Sequence, residues 1–181
     1  MSSRSVKTGQ VLVKSLMAAL ALGTLGMGAT AEAACTPAGT IQDNTGYSPD
    51  VDFTYTGAWT HSSSFPNALY GTLSWTKDVP NHWYGMDKAV SFSLECRTAF
   101  DYFYSAAYNR GHATIVAVNN VTGEWRQLGS VDQYSPTIEY GKSVRISVPW
   151  TQRTTIYISA NGTKHPASID TYIDIDAIVP R

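Results

Sequence analysis

Aromatic, amide and guanidinium side chains occur close together in two short polar segments of this chain. Residues 79–87 (VPNHWYGMD) place Trp83 and Tyr84 in a polar stretch punctuated by Pro and Gly. A second segment puts an aromatic ring, an amide, a guanidinium and an imidazole within five residues: Tyr108, Asn109, Arg110, Gly111 and His112. Aromatic faces pack against the C–H groups of a pyranose, and amide or guanidinium groups bond its hydroxyls. Both segments are therefore candidate ligand-binding loops.

Each candidate also has a structural alternative. A loop tryptophan such as Trp83 can fold back and close one end of a sandwich, and Gly111 can make a turn while Arg110 pairs with a carboxylate. Trp150 is a third candidate for ligand binding, and its role stays open. Two further tryptophans have apolar neighbours and are predicted to pack in the core: Trp59 and Trp75.

Sequence motifs of known catalytic centres are missing. The chain contains no G-x-S-x-G elbow, no H-E-x-x-H, no P-loop and no G-x-G-x-x-G. Its four histidines stand far apart in predicted turns: His61, His82, His112 and His165. A carboxylate pair, as in glycosidases, or a Tyr and His pair, as in polysaccharide lyases, needs no such motif, so a small lyase or hydrolase stays an alternative. We predict no catalytic residue.

The elements that must position these loops are strands, because apolar residues recur with a period of two. Residues 88–95 place Val90, Phe92 and Leu94 on one face, and residues 142–148 alternate in the same way. Six other stretches are rich in β-branched and aromatic residues: 53–59, 68–75, 100–107, 113–118, 124–129 and 154–160. We predict an all-β fold, an antiparallel β-sandwich or jelly roll of about eight or nine strands.

The last predicted strand, residues 168–179, carries a row of acidic side chains. Its apolar residues alternate with a polar set: Asp170, Tyr172, Asp174 and Asp176. Such a row is either a solvated outer face that discourages edge pairing or a source of ion ligands. Two turns are also predicted, a hairpin loop at residues 119–123 and an Asn-Gly turn at Asn161.

The N-terminus is typical of a secretory signal peptide. Three basic residues precede or begin an apolar run of small residues at 15–28: Arg4, Lys7 and Lys14. A small-residue cleavage site follows at residues 31–33 (AEA), with residues 29–31 (ATA) as a second choice. We predict a signal peptide over residues 1–33, a single β-sandwich domain over residues 34–181, and a secreted, extracellular protein.

Cys35 and Cys96 are the only two cysteines. In an oxidising compartment, a disulfide between them is the simplest pairing, and two buried free thiols are the alternative.

The charge pattern argues against polyanionic partners such as nucleic acid. The formal net charge of the chain is −1 at pH 7. Arginines are scattered along the predicted domain, among them Arg97, Arg110, Arg126, Arg145 and Arg153. We therefore expect no nucleic-acid partner. No apolar stretch after the leader approaches membrane-spanning length, and we expect a monomer without a membrane span.

Five motifs follow one another along the chain: residues 55–59 (YTGAW), 69–75 (LYGTLSW), 89–94 (AVSFSL), 109–118 (NRGHATIVAV) and 173–178 (IDIDAI). In this order they resemble the galactose-binding-domain-like jelly rolls of secreted bacterial proteins, which include many carbohydrate-binding modules. A second resemblance, to the golvesin-type domain, rests on residues 43–44 (DN) and 125–129 (WRQLG). Both imply a jelly roll, and the first implies a glycan ligand.

The first resemblance also implies a calcium site. Related jelly rolls often hold a structural Ca²⁺ between the first segment and the last strand, where this chain offers five carboxylates: Asp43, Asp50, Asp52, Asp174 and Asp176. Hard oxygen ligands of this kind suit calcium. A structural calcium is the one cofactor that we expect.

These observations favour a secreted, non-catalytic carbohydrate-binding protein that recognises a glycan or polysaccharide through its loop aromatics. The alternative from another class is an extracellular protein-interaction protein, an inhibitor or a structural protein of the cell envelope. The lyase or hydrolase named above is the third hypothesis.

Overall fold

Strands make up almost all of the regular structure. The computed structural model describes residues 35–39, 41–42, 53–78 and 86–181, which all lie within one compact unit, Ala33–Arg181. The described residues contain one 3-10 helix, Leu69–Gly71, and twelve strands. The strands are β1 (Ile41–Gln42), β2 (Thr54–Thr56), β3 (Thr60–Ser62), β4 (Leu73–Lys77), β5 (Ala89–Leu94), β6 (Ala99–Ala106), β7 (Gly111–Asn119), β8 (Trp125–Asp132), β9 (Glu139–Ser147), β10 (Thr154–Lys164), β11 (Tyr172–Ile175) and β12 (Ala177–Pro180).

The strands form three antiparallel sheets. Five strands pair in the order β2-β5-β10-β7-β8, four in the order β1-β12-β6-β9, and three in the order β11-β4-β3. The predicted all-β, antiparallel sandwich is confirmed. The described strands outnumber the eight or nine expected because β1, β2, β3, β11 and β12 are only two to four residues long. None of the described residues form a helix long and apolar enough to cross a membrane.

The core lies between the five-stranded sheet and the other two sheets. Val90, Phe92 and Leu94 of β5 are at most 2% exposed, and Ile156 and Ile158 of β10 are fully buried. They belong to one apolar cluster with residues of the opposite layer: Phe100, Tyr102, Ile146, Ile173, Ile175 and Ile178. Because full burial of one such side chain contributes about 1.5–3 kcal/mol, the period-two pattern is the main source of cohesion between the layers.

The predicted hairpin between β7 and β8 is confirmed. Val118 pairs with Trp125 across the two strands. Within the connecting loop, the Asn119 side-chain oxygen accepts hydrogen bonds from the backbone N–H groups of Val121 (2.9 Å) and Thr122 (3.1 Å). The side chain of Asn119 thus satisfies backbone donors that the ladder leaves unpaired.

The turn predicted at Asn161 is wrong. β10 continues through this residue and Gly162, and its pairing with β7 shifts register between Ala160 and Lys164. Gly162 adopts a φ of +71°, which lets the extra residues bulge out of the ladder. An Asn-Gly pair therefore marks a bulge here.

The last predicted strand is in fact two strands that belong to different sheets. β11 pairs with β4 and β12 pairs with β6, so the change of sheet occurs at Asp176. Residues 168–171 precede β11, and Ile169 is 70% exposed. Asp174 and Asp176 are 0% and 1% exposed, which contradicts the solvated-face interpretation for both. Other segments cover them, and Asp176 Oδ2 accepts a hydrogen bond from Leu69 N–H at 2.7 Å.

The predicted disulfide is confirmed. Cys35 and Cys96 are bonded, with their Cα atoms 5.1 Å apart. Beside them, Thr36 N–H donates to the Glu95 carbonyl (3.0 Å), and Glu95 N–H donates to Thr36 Oγ1 (2.7 Å). These bonds attach the first described segment to the end of β5.

Candidate functional site

Two adjoining depressions form a groove lined by aromatic rings. Their volumes are about 160 and 300 Å³, and they share Phe65, Asn109 and Arg110. We call the two together the aromatic groove. Its other described lining residues are Leu73, Trp75, Ser105, Ala107, Tyr108, Ile138, Tyr140 and Tyr172.

The pairing of β4 with β11 supplies the floor of the groove. Trp75 lies opposite Asp174 in this pair. Opposite residues share a face, as do residues two apart on one strand, so Trp75, Tyr172 and Asp174 project from the same side. Ile173 and Ile175 project from the other side and are fully buried in the core. The apolar core face of β11 therefore orients Tyr172 towards the groove.

Phe65 connects the rings on the two sides of the groove. It lies after β3 in a turn closed by hydrogen bonds from Phe65 N–H to the Gly71 carbonyl (3.2 Å) and from Ala68 N–H to the Phe65 carbonyl (2.9 Å). Its ring is perpendicular to that of Trp75, with centroids 5.7 Å apart, and is 6.3 Å from the ring of Tyr140. The three rings form one continuous apolar wall.

The polar part of the groove centres on Arg110. Its Nε donates to Asp174 Oδ2 at 2.7 Å, and its Nη1 donates to Asn109 Oδ1 at 3.0 Å. The Arg110 side chain is 13% exposed and that of Asp174 is fully buried. No described residue accepts a hydrogen bond from Arg110 Nη2, so this donor is available to a ligand.

A buried network holds Asp174 in place beneath Arg110. Asp174 Oδ1 accepts from Ser105 N–H at 2.7 Å, and Asp174 Oδ2 accepts from Ser105 Oγ. Gln133 accepts from Asp174 N–H (2.8 Å) and donates to both the Asp174 carbonyl (2.9 Å) and Tyr102 Oη (2.6 Å). Full burial raises the pKa of the Asp174 carboxyl above its ordinary value, against the opposing effect of Arg110. Because Asp174 belongs to β11 and Ser105 to β6, the carboxylate that binds the guanidinium is held in place by two strands.

Gly111 is required by the close approach of two backbones beside Arg110. A Cβ atom at this position would lie 2.6 Å from the Thr163 carbonyl oxygen of the β10 bulge and 3.0 Å from Thr171 Cα. Both neighbours are backbone atoms, which cannot move aside cheaply. The absence of a side chain at Gly111 is therefore what lets the loop bearing Arg110 reach Asp174.

Comparisons with known proteins bear on the fold. No family model matches this sequence, and neither does any curated protein. Among solved structures, part of a xanthan lyase from Paenibacillus matches at a TM-score of 0.50 and 14% identity, covering 78% of this chain and 13% of that one. The two share a fold. The β-jelly-roll fold implied by the sequence resemblance is thus confirmed, while the chain spans only about an eighth of the length of that lyase.

Two carbohydrate-binding modules are also similar in structure. A family 32 module of a family 31 glycoside hydrolase from Clostridium perfringens matches at a TM-score of 0.44 and 14% identity, covering 73% of this chain and 94% of the module. A mutant family 29 module complexed with cellulohexaose matches at a TM-score of 0.41 and 13% identity, covering 67% of this chain and 91% of that one.

The structure brings part of the predicted site together. Tyr108, Asn109 and Arg110 all line the groove, and Tyr108 is 47% exposed at its edge. His112 is not among the lining residues: its Nδ1 is 3.1 Å from Thr163 Oγ1 and its Nε2 is 3.7 Å from Asp132 Oδ1.

The remaining predicted ligand-binding residues are Trp150, Trp83 and Tyr84. Trp150 packs against the core and lies below the guanidinium of Arg126, which is 5.6 Å from its ring centroid. Trp83 and Tyr84 lie outside the described residues.

Four lining aromatics were not predicted from the sequence as ligand-binding residues: Phe65, Trp75, Tyr140 and Tyr172. Trp75 was expected in the core, but it is only half-buried. A signal for Tyr172 did exist, since the alternation of residues 168–179 places it on the polar face. The side chains beside Tyr172 on that face depend on which strand pairs with β11. The period of two shows which face a residue occupies but not which strand lies next to it.

The calcium site stays a prediction. Asp43, Asp50 and Asp52 lie outside the described residues. Asp174, the fourth predicted ligand, binds Arg110 and Ser105. Within residues 35–39, 41–42, 53–78 and 86–181, no three His, Cys, Asp or Glu side chains are grouped so as to hold a metal ion.

Proposed function

We propose that this chain is a secreted, non-catalytic protein that binds a glycan in the aromatic groove. The observation that carries the proposal is the combination of an aromatic wall with a fixed guanidinium. Phe65, Trp75 and Tyr140 offer an apolar surface to the C–H faces of sugar rings, and Arg110 Nη2 offers a donor to a hydroxyl.

The groove is organised before any ligand arrives. The rings of Phe65 and Trp75 pack edge to face, and the ring of Tyr140 is tilted relative to that of Phe65. Arg110 is held by Asp174 and Asn109. A ligand therefore immobilises few side chains when it binds, which lowers the entropic cost of association. Fixed rings beside a fixed donor favour recognition of a rigid, ring-shaped ligand.

The environment of Asp174 supports a binding role over catalysis. A general acid or base must reach the reacting atom of a substrate. The carboxylate of Asp174 is fully buried, and both of its oxygens accept hydrogen bonds from Ser105 or Arg110. This arrangement suits a residue that positions Arg110.

Glycan binding is tested by affinity electrophoresis and a glycan array, run with calcium and with a chelator. We expect Tyr172→Ala and Trp75→Ala each to weaken binding of the retained glycan by about fivefold, since loss of one aromatic contact costs on the order of 1 kcal/mol. The matched control is Tyr157→Ala, which removes a half-buried tyrosine from β10, outside the described groove lining. Failure of every glycan to bind, or groove variants that bind like the wild type, would contradict the proposal.

Export is a separate part of the proposal. It rests on the basic, apolar and small-residue segments of residues 1–33. We expect the exported protein to begin at Ala34, which N-terminal sequencing of the protein recovered from culture medium checks. A protein recovered only from the cytoplasm with Met1 or Ser2 at its N-terminus would contradict it.

A further inference from the structure

A third depression, beside the aromatic groove, gathers most of the lysines of the described chain. Its volume is about 300 Å³, and three lysines line it: Lys77, Lys88 and Lys164. We call these three the lysine cluster. The described residues contain four lysines, and the fourth, Lys142, lies on β9 and pairs with Glu139. The overall charge of the chain is −1, so this concentration of positive charge is local.

Each ammonium group of the cluster is held by an acceptor of the protein. Lys77 Nζ donates to Asp170 Oδ2 (3.0 Å), Lys88 Nζ to the Lys77 carbonyl (2.8 Å), and Lys164 Nζ to the Ser168 carbonyl (2.7 Å). An ammonium has three N–H donors, so each lysine keeps about two for a ligand. Two of the three acceptors are neutral carbonyls, so only Lys77 is bonded directly to a carboxylate.

The two carboxylates that line the same depression do not neutralise the positive charge of the lysine cluster. Asp78 is 6% exposed. Asp170 is committed to Lys77 and to Thr171 N–H, which donates to its Oδ1 at 2.8 Å. Three ammonium groups thus face two carboxylates, one of them buried and the other already engaged.

The lysine cluster is next to the aromatic groove. Lys77 Nζ lies 4.7 Å from the ring centroid of Tyr172, which lines the groove. Thr171, which precedes Tyr172 in the sequence, lines the third depression. The ammonium of Lys77 lies over one face of the Tyr172 ring, so a ligand that contacts this tyrosine comes close to the ammonium. The two surfaces can contact one extended ligand.

We propose that the ligand of the aromatic groove is an acidic glycan, whose carboxylate or sulfate groups bind the lysine cluster. This inference rests on the proposed function, and it specifies the chemical class of the glycan. Anionic substituents supply the acceptors that the free N–H groups of the cluster need, and charge-assisted hydrogen bonds are the stronger kind. The sugar rings then pack along Tyr172 and Trp75.

The test compares matched pairs of polymers that differ in charge. We would measure binding of polygalacturonate and of alginate against their carboxyl-reduced forms, and of dextran sulfate against dextran, at 0.15 M salt. The dextran pair shows whether sulfate can replace carboxylate. The variant Lys88→Gln/Lys164→Gln leaves Lys77 beside Tyr172. Its control, Arg126→Gln/Arg153→Gln, removes the same charge near the β7–β8 hairpin.

We expect the charged member of at least one pair to bind more tightly than its neutral form. The lysine variant should weaken that binding by roughly twofold to thirtyfold, the combined effect expected for two exposed ionic contacts, and reduce its salt dependence. The arginine control should bind like the wild type. Tyr172→Ala should weaken the same binding, because one glycan contacts both surfaces.

Failure of this inference is distinguishable from failure of the proposed function. If a glycan binds through Tyr172 but its charged and neutral forms bind equally and the lysine variant has no effect, the function stands and the acidic class is wrong. If the lysine variant weakens binding while Tyr172→Ala does not, the cluster binds anions apart from the groove and the proposal of one ligand is wrong. If no polymer or array glycan binds, both proposals fail.

Discussion

Arg110 illustrates how the orientation of one groove side chain depends on buried residues behind it. Its guanidinium is oriented by Asp174, whose own position depends on Ser105 and Gln133. The sequence suggested that Arg110 either binds a ligand or pairs with a carboxylate. The structure shows the pairing, and it leaves Nη2 without an acceptor among the described residues, so the two roles are compatible.

Replacing Asp174 tests this dependence. Asp174→Asn keeps the size of the side chain but leaves the largely buried guanidinium without its counter-ion. We expect a loss of about 3 kcal/mol in the free energy of unfolding, measured by urea denaturation, and weaker glycan binding.

Asp170→Asn is the matched control for that variant. It breaks an ion pair with Lys77 whose side chains are 48% and 32% exposed, so its cost should stay below about 1 kcal/mol. Equal losses for the two variants would show that burial of the pair with Arg110 is unimportant.

At the scale of elements, the groove exists because three segments of the chain meet at the β4–β11 pair. The turn after β3 brings Phe65, the β6–β7 loop brings Arg110, and the start of β9 brings Tyr140. The β10 bulge adds the last constraint, because Thr163 approaches Gly111 so closely. A bulge that interrupts regular pairing therefore shapes the site.

Gly111→Ala tests the close approach of the loop to the bulge. Its Cβ would lie 2.6 Å from a backbone oxygen, so we expect a loss of about 1–3 kcal/mol in the free energy of unfolding and displacement of Arg110 from the groove. Gly129→Ala on β8 is the control, since its Cβ would meet nothing within 4 Å. Thermal unfolding of the two variants checks the difference, and similar melting temperatures would contradict it.

The pairing of β6 with β9 predicts a dependence of stability on pH. Asp101 of β6 accepts hydrogen bonds from Arg145 of β9 (2.8 Å) and from Arg181 (2.7 Å), and the bond from Arg145 is the main cause that lowers the pKa of the Asp101 carboxyl below 3.8. A lowered native pKa means that its stabilisation is present above the unfolded-state pKa. It is lost as the pH falls through the native pKa.

Asp101→Asn should remove this contribution. We expect the variant to be about 1 kcal/mol less stable than the wild type at pH 7, because a charge-assisted hydrogen bond is replaced. The difference should shrink below about pH 4 and vanish once the native Asp101 is protonated. Urea denaturation at several pH values between 2.5 and 7 checks this, and a constant difference would contradict the role of ionisation.

At the scale of the whole molecule, the chain is closed by one covalent link. The disulfide between Cys35 and Cys96, 61 residues apart, ties the first described segment to the end of β5. Neither cysteine is among the described residues that line the groove. Its role in stability should therefore be separable from ligand binding.

Removing the disulfide by substitution tests whether its effect on stability is separate from ligand binding. We expect Cys35→Ser/Cys96→Ser to lower the free energy of unfolding by about 2–4 kcal/mol, mainly because the unfolded chain regains freedom. Glycan affinity well below the melting temperature should stay unchanged. Loss of affinity in a folded variant would show that the link also shapes the groove.

Much of the architecture follows from local patterns in the sequence. The alternation of Val90, Phe92 and Leu94 predicts a strand with one buried face, and the Asn-rich loop at 119–123 predicts the β7–β8 hairpin. These features depend on neighbouring residues, for which side-chain period and turn chemistry are sufficient. The disulfide was also predictable from the sequence, although its cysteines are 61 residues apart, because two cysteines allow only one pairing.

The site itself depends on which distant strands pair and in which register. Arg110 and Asp174 are 64 residues apart, and only the tertiary structure shows that they meet and that burial makes Asp174 a partner of Arg110. The three lysines of the cluster, Lys77, Lys88 and Lys164, belong to different strands or loops. The periodicity of the sequence therefore does not predict that they lie together. The sequence by itself determined most of the strands and, in strands such as β5, the buried face, because these are local properties. The tertiary structure decided which outward-facing side chains share a surface, because that depends on contacts between segments far apart in the chain.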